Sequence, residues 1–325
     1  MAKVTVLGAG GWGMALALVA HSKGHKVAIW SPFENEVKQL SATRTNPRLL
    51  AGIYLDKEIE ITGDISVAEG SDIIILAVPS VAVAETAARL RNIENIGVVV
   101  NVAKGFGKGG ERLSEVIGAE LPNARIVVLS GPSHAEEVAR KLPTTVTVAS
   151  KDIAAAMLVQ QLLSTDNFRI YTNEDIIGVE LGGALKNVIA VCSGICAGLG
   201  LGDNTRAALI TRGLAEMTRL GLALGASEHT FLGLSGIGDL IVTCLSEHSR
   251  NNRFGLLVGG GMPIDEALAE VGTVEGYYAA ALAFKLARDN SLELPIIEQC
   301  YGILYNNESA ASAVGRLTGR PPKTE

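Results

Sequence analysis

The sequence has no run of basic residues, and its formal net charge is −6. That balance argues against nucleic acid or an anionic membrane surface as a partner, so an anionic ligand would need locally clustered cations. Cysteine is scarce: Cys192, Cys196, Cys244 and Cys300 form no C-x-x-C pair and have no paired histidine ligands. This spacing offers neither a zinc framework nor a disulfide scaffold, so the four read as reduced, packed thiols and no metal site is expected. Long apolar runs are also missing. The longest uncharged stretch, Asn187 to Gly202, is bounded by Lys186 and Asp203 and falls short of the roughly 18 apolar residues that a membrane span needs. It reads as a buried core helix, without membrane insertion. No apolar h-region or arginine-rich leader precedes the first strand pattern, which makes the cytoplasm the expected location. Internal repeats and low-complexity segments are absent as well.

What is present is an ordinary globular composition, 48% hydrophobic and 19% charged over 325 residues, a length for which two domains are expected. From Lys3 to about Tyr171, short β-rich runs alternate with helical stretches. Lys3–Leu7, Lys26–Trp30, Ile73–Val78, Gly97–Asn101, Arg125–Ser130 and Thr144–Ala149 read as strands. Runs apolar at nearly every position, such as Ile73-Ile74-Ile75-Leu76, suit a parallel sheet covered on both faces. After about Thr172 helical periodicity dominates, with helices expected over 175–199, 204–224, 250–258, 264–271, 277–287 and 296–305. The expected architecture is α/β: a doubly wound, Rossmann-type domain over 1–172, then an all-α domain over 173–325. The tail from Gly319 to Glu325 is polar and proline-containing and is expected to be unstructured.

The first strand pattern runs into Gly8-Ala9-Gly10-Gly11-Trp12-Gly13, a G-x-G-x-x-G. In a dinucleotide-binding turn Gly8 permits the tight turn, Gly10 lets the backbone approach a pyrophosphate, and Gly13 lets the following helix pack on the strand. The helix N-terminus then binds the anion without a basic side chain. With 37 glycines in the chain such a match also arises by chance, and a tight turn without ligand is the alternative. The preceding strand, the helical run from Met14 to Ser22 and Gly24 at a C-cap position favour the nucleotide. Ligands of such sheets lie beyond the carboxyl ends of the strands, which directs attention to Val78-Pro79-Ser80, Lys104-Gly105 and Gly131-Pro132-Ser133-His134.

A dinucleotide turn followed by a helical domain suggests hydride transfer. Lys186-Asn187 stands out because it interrupts a helix of small and apolar residues. Burial there disfavours the charged lysine and suits it to proton exchange near neutral pH; the alternative is a lysine on a wet face. Gly236-Ile237-Gly238-Asp239, Thr243 and Ser249-Arg250-Asn251-Asn252-Arg253 would supply a carboxylate for that lysine and a fork for a phosphate. Plain helix capping by Asp239 and Ser249 is the competing reading. Lys104 is either a group near the reacting carbons or a solvated loop lysine, and His134 either a general acid or a structural helix-opening residue.

Taken together and in order along essentially the whole chain, these segments, with Val274-Glu275-Gly276, resemble the bacterial NAD(P)-dependent glycerol-3-phosphate dehydrogenase family. The resemblance implies a C-terminal domain of the 6-phosphogluconate dehydrogenase type. The implied activity is interconversion of dihydroxyacetone phosphate and sn-glycerol 3-phosphate, the head-group precursor of glycerophospholipids. It further implies Lys186 as the proton donor, with Asp239, Asn187 and Thr243 around it. Lys104, Gly131 and Ser133 would contact substrate together with Lys186 and Asp239, and Ser249, Arg250 and Asn251 would bind its phosphate. The cofactor, NAD or NADP, would be held by Gly8, Gly10, Gly11, Trp12, Gly13, Lys104, Ala135, Arg250 and Glu275. The expected partner is thus a small phosphorylated substrate, and the apolar helical half leaves room for a homodimer.

One departure concerns the cofactor. Where many family members resemble Trp-Ala-Arg-Arg, with arginines for the 2′-phosphate of NADP, this chain has Trp30-Ser31-Pro32-Phe33-Glu34, and no cation until Lys38. The expectation is that NADH is used at least as well as NADPH, with Glu34 the first acid available to a ribose hydroxyl. Two other functions fit the fold: a reductase of β-hydroxy or sugar acids, against which the phosphate fork argues, and a catalytically silent dinucleotide sensor, against which Lys186 and Asp239 argue.

Overall fold

A computed structural model describes residues 1–321, which divide into two compact units, Met1–Glu180 and the described residues from Leu181 onward. Of the tail expected to be unstructured, residues 322–325 lie outside the described residues.

The first unit is built on eight strands: β1 (Lys3–Leu7), β2 (Lys26–Trp30), β3 (Glu60–Thr62), β4 (Ile73–Leu76), β5 (Val98–Asn101), β6 (Arg125–Ser130), β7 (Thr144–Ala149) and β8 (Phe168–Asn173). They form one sheet in the order β3-β2-β1-β4-β5-β6-β7-β8. Neighbours run parallel except β6 and β7. The first six carry the doubly wound order, which places the glycine turn after β1 at the point where the strand order reverses. The apolar runs are covered on both faces, as expected. Ile73 and Ile75 belong to one core cluster, while Ile74 and Leu76 belong to the other. Six helices connect the strands: α1 (Gly11–Ser22), α2 (Glu34–Thr43), α3 (Val83–Arg89), α4 (Leu113–Glu120), α5 (Ala135–Ala139) and α6 (Ile153–Leu163).

Two strands escape the sequence pattern. β3 is a three-residue edge strand, Glu60-Ile61-Thr62, too short and polar to announce itself. β8, at the other edge, alternates buried Phe168 and Ile170 with exposed Arg169 and Tyr171, and it is held by pairing with β7.

The second unit is helical: α7 (Ile176–Gly198, beginning in the first unit), α8 (Asp203–Ala223), α9 (Glu228–Phe231), α10 (Asp239–Leu245), α11 (Arg250–Gly259), α12 (Ile264–Val271), α13 (Glu275–Asp289), α14 (Pro295–Tyr305) and α15 (Ala310–Thr318). A π-helical turn, Leu234–Gly238, leads into α10. That turn, α9, α10 and α15 lie outside the helices expected from the hydrophobic period. Among the described residues α7 is the one single helix long and apolar enough to cross a membrane, yet 94% of its most apolar window is buried within the fold.

Glycine lets α7 and α11 touch backbone to backbone. A β-carbon on Gly194 would stand 2.0 Å from the Asn252 carbonyl oxygen, and one on Gly255 2.1 Å from that of Val191. One turn on, Gly198 and Gly259 repeat the relation at 2.3 Å against Leu256 and Ile195. A side chain here would meet backbone that cannot yield. Gly255→Val is therefore expected to lose at least about 2 kcal/mol in urea unfolding, whereas a loss below about 0.5 kcal/mol would show that the helices can separate without penalty.

Glu216 on α8 is buried and accepts the Ile296 and Ile297 N–H groups at 2.8 and 3.1 Å, at the start of α14. Burial pushes its carboxyl up to about 7, outweighing those two donors. A carboxyl with a higher pKa folded than unfolded contributes stability that is complete below the ordinary value of 4.5 and is lost as pH rises towards 7. Thermal unfolding between about pH 5 and pH 8 should show Glu216→Gln with a flatter pH dependence than the parent chain; parallel curves would contradict the assignment.

Candidate active site

At the end of β1 the chain turns through Gly8, whose φ of +121° is open to glycine, and a β-carbon there would lie 2.5 Å from the Ala77 carbonyl oxygen. A β-carbon on Gly13 would stand 2.1 Å from the Gly8 carbonyl oxygen, so α1 packs directly on the turn. Gly10 differs from both, since a β-carbon there would meet nothing within 4 Å. Its Cα faces open space at the first turn of α1, where Gly10 is the N-cap without a side-chain hydrogen bond and no acidic residue lies in the first turn. This arrangement fits a pyrophosphate: free N–H groups, a positive helix end and no side chain in the way. Gly11 lies beside Ala135, to whose Cβ an added β-carbon would stand at 3.7 Å. The Trp12 ring packs on the core with Phe168, 6.4 Å between centroids, so what Trp12 offers the turn is its backbone N–H.

Lys104, past the end of β5, is not a free loop lysine. Its Nζ donates to the Gly131 carbonyl at 2.8 Å and to Ser133 Oγ at 3.1 Å. Gly131, with φ +131°, makes the sharp exit from β6 that brings its carbonyl there, and Ser133 Oγ donates to the same oxygen at 2.8 Å. Three residues expected to meet substrate thus form one half-buried cluster beyond the strand ends. His134 is the N-cap residue of α5 but makes no side-chain cap hydrogen bond.

In the second unit, Lys186 on α7 donates from Nζ to Asp239 Oδ1 at 2.6 Å and to Thr243 Oγ1 at 2.6 Å, with Lys186 only 5% and Asp239 only 1% exposed. Asp239 and Thr243 lie one turn apart on α10, and Thr243 Oγ1 also donates to the Asp239 carbonyl. The wet-face reading of Lys186 and the capping reading of Asp239 are both ruled out by these contacts. Desolvation works against a charged amine here and the adjoining carboxylate, 2.6 Å away, works for it. The π-helical turn sets Asp239 in place by backbone contact: a β-carbon on Gly182 of α7 would stand 2.4 Å from the Ser235 carbonyl oxygen.

Asn187 connects the lysine's helix to two others. Its Oδ1 accepts from Asn251 Nδ2 at 2.9 Å, and Asn251 Oδ1 accepts the Gly276 N–H at 2.8 Å, next to Glu275 at the start of α13. Both ends of the Asn251 amide are therefore committed. Ser249 does cap α11, accepting the Asn252 N–H at 3.2 Å. Arg250 is exposed and makes no hydrogen bond or ion pair among the described residues, whereas Arg253 pairs with Glu270 at 2.9 Å. The fork expected of these two arginines reduces to Arg250. A further contact set escapes sequence reasoning: Ser193, Arg206 and Asn252 all donate to the Cys244 carbonyl and fix the end of α10. Burial pushes the Cys244 thiol up to about 12, and all four cysteines are buried.

Two family profiles match the chain, the NAD-dependent glycerol-3-phosphate dehydrogenase N-terminus over residues 3–156 and the C-terminus of the same family over 175–315. The NAD(P)+ glycerol-3-phosphate dehydrogenase of Desulfitobacterium hafniense is 49% identical, over all of this chain and 93% of its own length. The enzyme of the same name from Fusobacterium nucleatum is 46% identical, over all of this chain and 99% of its own. The crystal structure of glycerol-3-phosphate dehydrogenase from Coxiella burnetii superposes with a TM-score of 0.94 at 40% identity, covering 98% of this chain and 99% of that one. A doubly wound dinucleotide fold with a helical second half, matched along its length in sequence and in structure, places this chain in the NAD-dependent glycerol-3-phosphate dehydrogenase family.

Proposed function

We infer that the chain is an oxidoreductase interconverting dihydroxyacetone phosphate and sn-glycerol 3-phosphate with NAD(P)H, the activity named for its relatives. The observation that supports it best is the buried Lys186–Asp239–Thr243 cluster, a proton donor held by a carboxylate inside an apolar helix pair.

A bound nicotinamide dinucleotide would supply the hydride that the substrate carbonyl carbon accepts. Lys186 Nζ gives a proton to the carbonyl oxygen and recovers one from solvent; in the reverse direction it takes the hydroxyl proton. Asp239 balances the ammonium and Thr243 fixes its direction, so the proton is aimed. Asn187 holds the helix start that carries Glu275. Lys104 adds a positive charge near the developing alkoxide and, with Gly131 and Ser133, binds substrate. Arg250, the Ser249 hydroxyl proton and the remaining amide N–H of Asn251 bind the phosphate. On this reading Gly8, Gly10, Gly11, Trp12, Gly13 and Ala135 would hold the dinucleotide, with Lys104, Arg250 and Glu275 as its further contacts. The roles divide as 1–172 for dinucleotide and 173–325 for proton transfer and phosphate. The reading extends to a cytoplasmic homodimer with no membrane insertion, and burial of α7 supports the last point.

Lys186→Ala is expected to lower kcat by about 100-fold or more while the Kd for NADH stays within about twofold of the parent; near-normal turnover of dihydroxyacetone phosphate would refute its role. Arg250→Ala should raise KM for dihydroxyacetone phosphate about 10- to 100-fold, the worth of a charge-assisted contact, and leave that for unphosphorylated dihydroxyacetone unchanged. An equal effect on both ketones would remove it from the phosphate site.

A further inference from the structure

The first carboxylate after β2, Glu34, turns away from the sheet. It pairs with Lys38 at 2.5 Å, and both side chains are more than two-thirds exposed. Glu36 behaves differently. Half-buried in the first turn of α2, it accepts a hydrogen bond from Ser31 Oγ, the residue immediately after β2. Ser31 is itself 1% exposed and fixed twice more, its N–H donating to the Thr62 carbonyl at 3.1 Å and its Oγ accepting the Phe33 N–H at 3.2 Å. The first turn of α2 thus folds back and restores a carboxylate to the carboxyl end of β2, although sequence order puts a serine there.

Three cations of this region are engaged elsewhere. Lys38 is held by Glu34, and the Arg44 guanidinium donates to the Ile59 carbonyl at 2.7 Å. Arg89, whose guanidinium lies 5.9 Å from the Trp30 ring centroid, pairs with Glu85 at 2.7 Å. In the doubly wound fold an acid at the end of the second strand accepts from the adenosine ribose hydroxyls, and a 2′-phosphate at the same place requires a cation. We propose that Glu36, anchored by Ser31, is the residue that makes this chain select NADH over NADPH. This rests on the reading of Gly8–Gly13 as a dinucleotide turn. A fixed carboxylate accepts from the 2′-hydroxyl of NADH and repels the 2′-phosphate of NADPH.

Equilibrium titration of the full chain with NADH and NADPH, followed by nucleotide fluorescence, tests this without any substrate. The parent should bind NADH at least about tenfold more tightly than NADPH. Glu36→Gln should bring the two Kd values within about threefold, chiefly by tightening NADPH, and Glu36→Lys should invert the preference. Glu34→Gln should leave the ratio unchanged. A parent ratio near unity, ratios for both Glu36 variants within about twofold of the parent, or an equal effect of Glu34→Gln would overturn the proposal. The variants differ in sign, so one that folds poorly does not decide the matter alone. Failure to bind either nucleotide would overturn the dinucleotide turn with it. Selective binding without turnover of dihydroxyacetone phosphate would instead overturn the assigned reaction and leave the role of Glu36 intact.

Discussion

The buried ion pair between Lys186 and Asp239 is the constraint on which the helical unit depends. Two charges 2.6 Å apart in an almost solvent-free interior are tolerated only together, since removing either partner from such a pair leaves an uncompensated charge that destabilises by about 3–5 kcal/mol. Such a pair does not by itself add stability over a well-packed apolar one. Its value lies in fixing α10 against α7 in one register, with the lysine nitrogen aimed by Asp239 and Thr243.

That register needs close backbones. α7 meets the π-helical turn at Gly182, α11 at Gly194 and Gly198, and the start of α13 against its Asn187 carbonyl through Gly276, each a place where a β-carbon would collide with backbone. Helices brought this near leave short distances for short polar groups, which is how Asn187, Asn251 and the Gly276 N–H form a chain across three helices. In a chain of net charge −6, each unit nevertheless presents a cation: Lys104, tethered to the Gly131 carbonyl and Ser133 in the first, and the exposed Arg250 in the second.

Much of this was legible in the sequence because it follows from local rules. The unbroken apolar runs announced a sheet buried on both faces, the glycine spacing announced the turn after β1, and a lysine amid alanine, leucine and valine marked α7 as unusual. β3, β8, α9, α10 and α15 were not legible: β3 is three residues long at an edge, β8 alternates buried residues with the exposed Arg169 and Tyr171, and both strands are held by pairing with a neighbouring strand. Asp239 and Ser249 show the limit clearly. Both matched a helix-capping pattern, yet Ser249 caps while Asp239 pairs with a lysine 53 residues earlier.

Glu34 and Glu36 draw the same line at the cofactor. The sequence alone determined that no cation follows β2 until Lys38 and that acids lie close behind the strand, because composition and order need no folding to be read. Which acid returns to the sheet was decided by tertiary structure. Successive positions on a helix point about 100° apart, so two residues separate an exposed glutamate bound to Lys38 from one tied to Ser31. The sequence likewise marked a lysine set in a small and apolar stretch of α7, and left open whether it faces the interior or solvent. Only folding decided what that lysine meets, because its partners come from α10, whose position is set by backbone contacts that glycine permits.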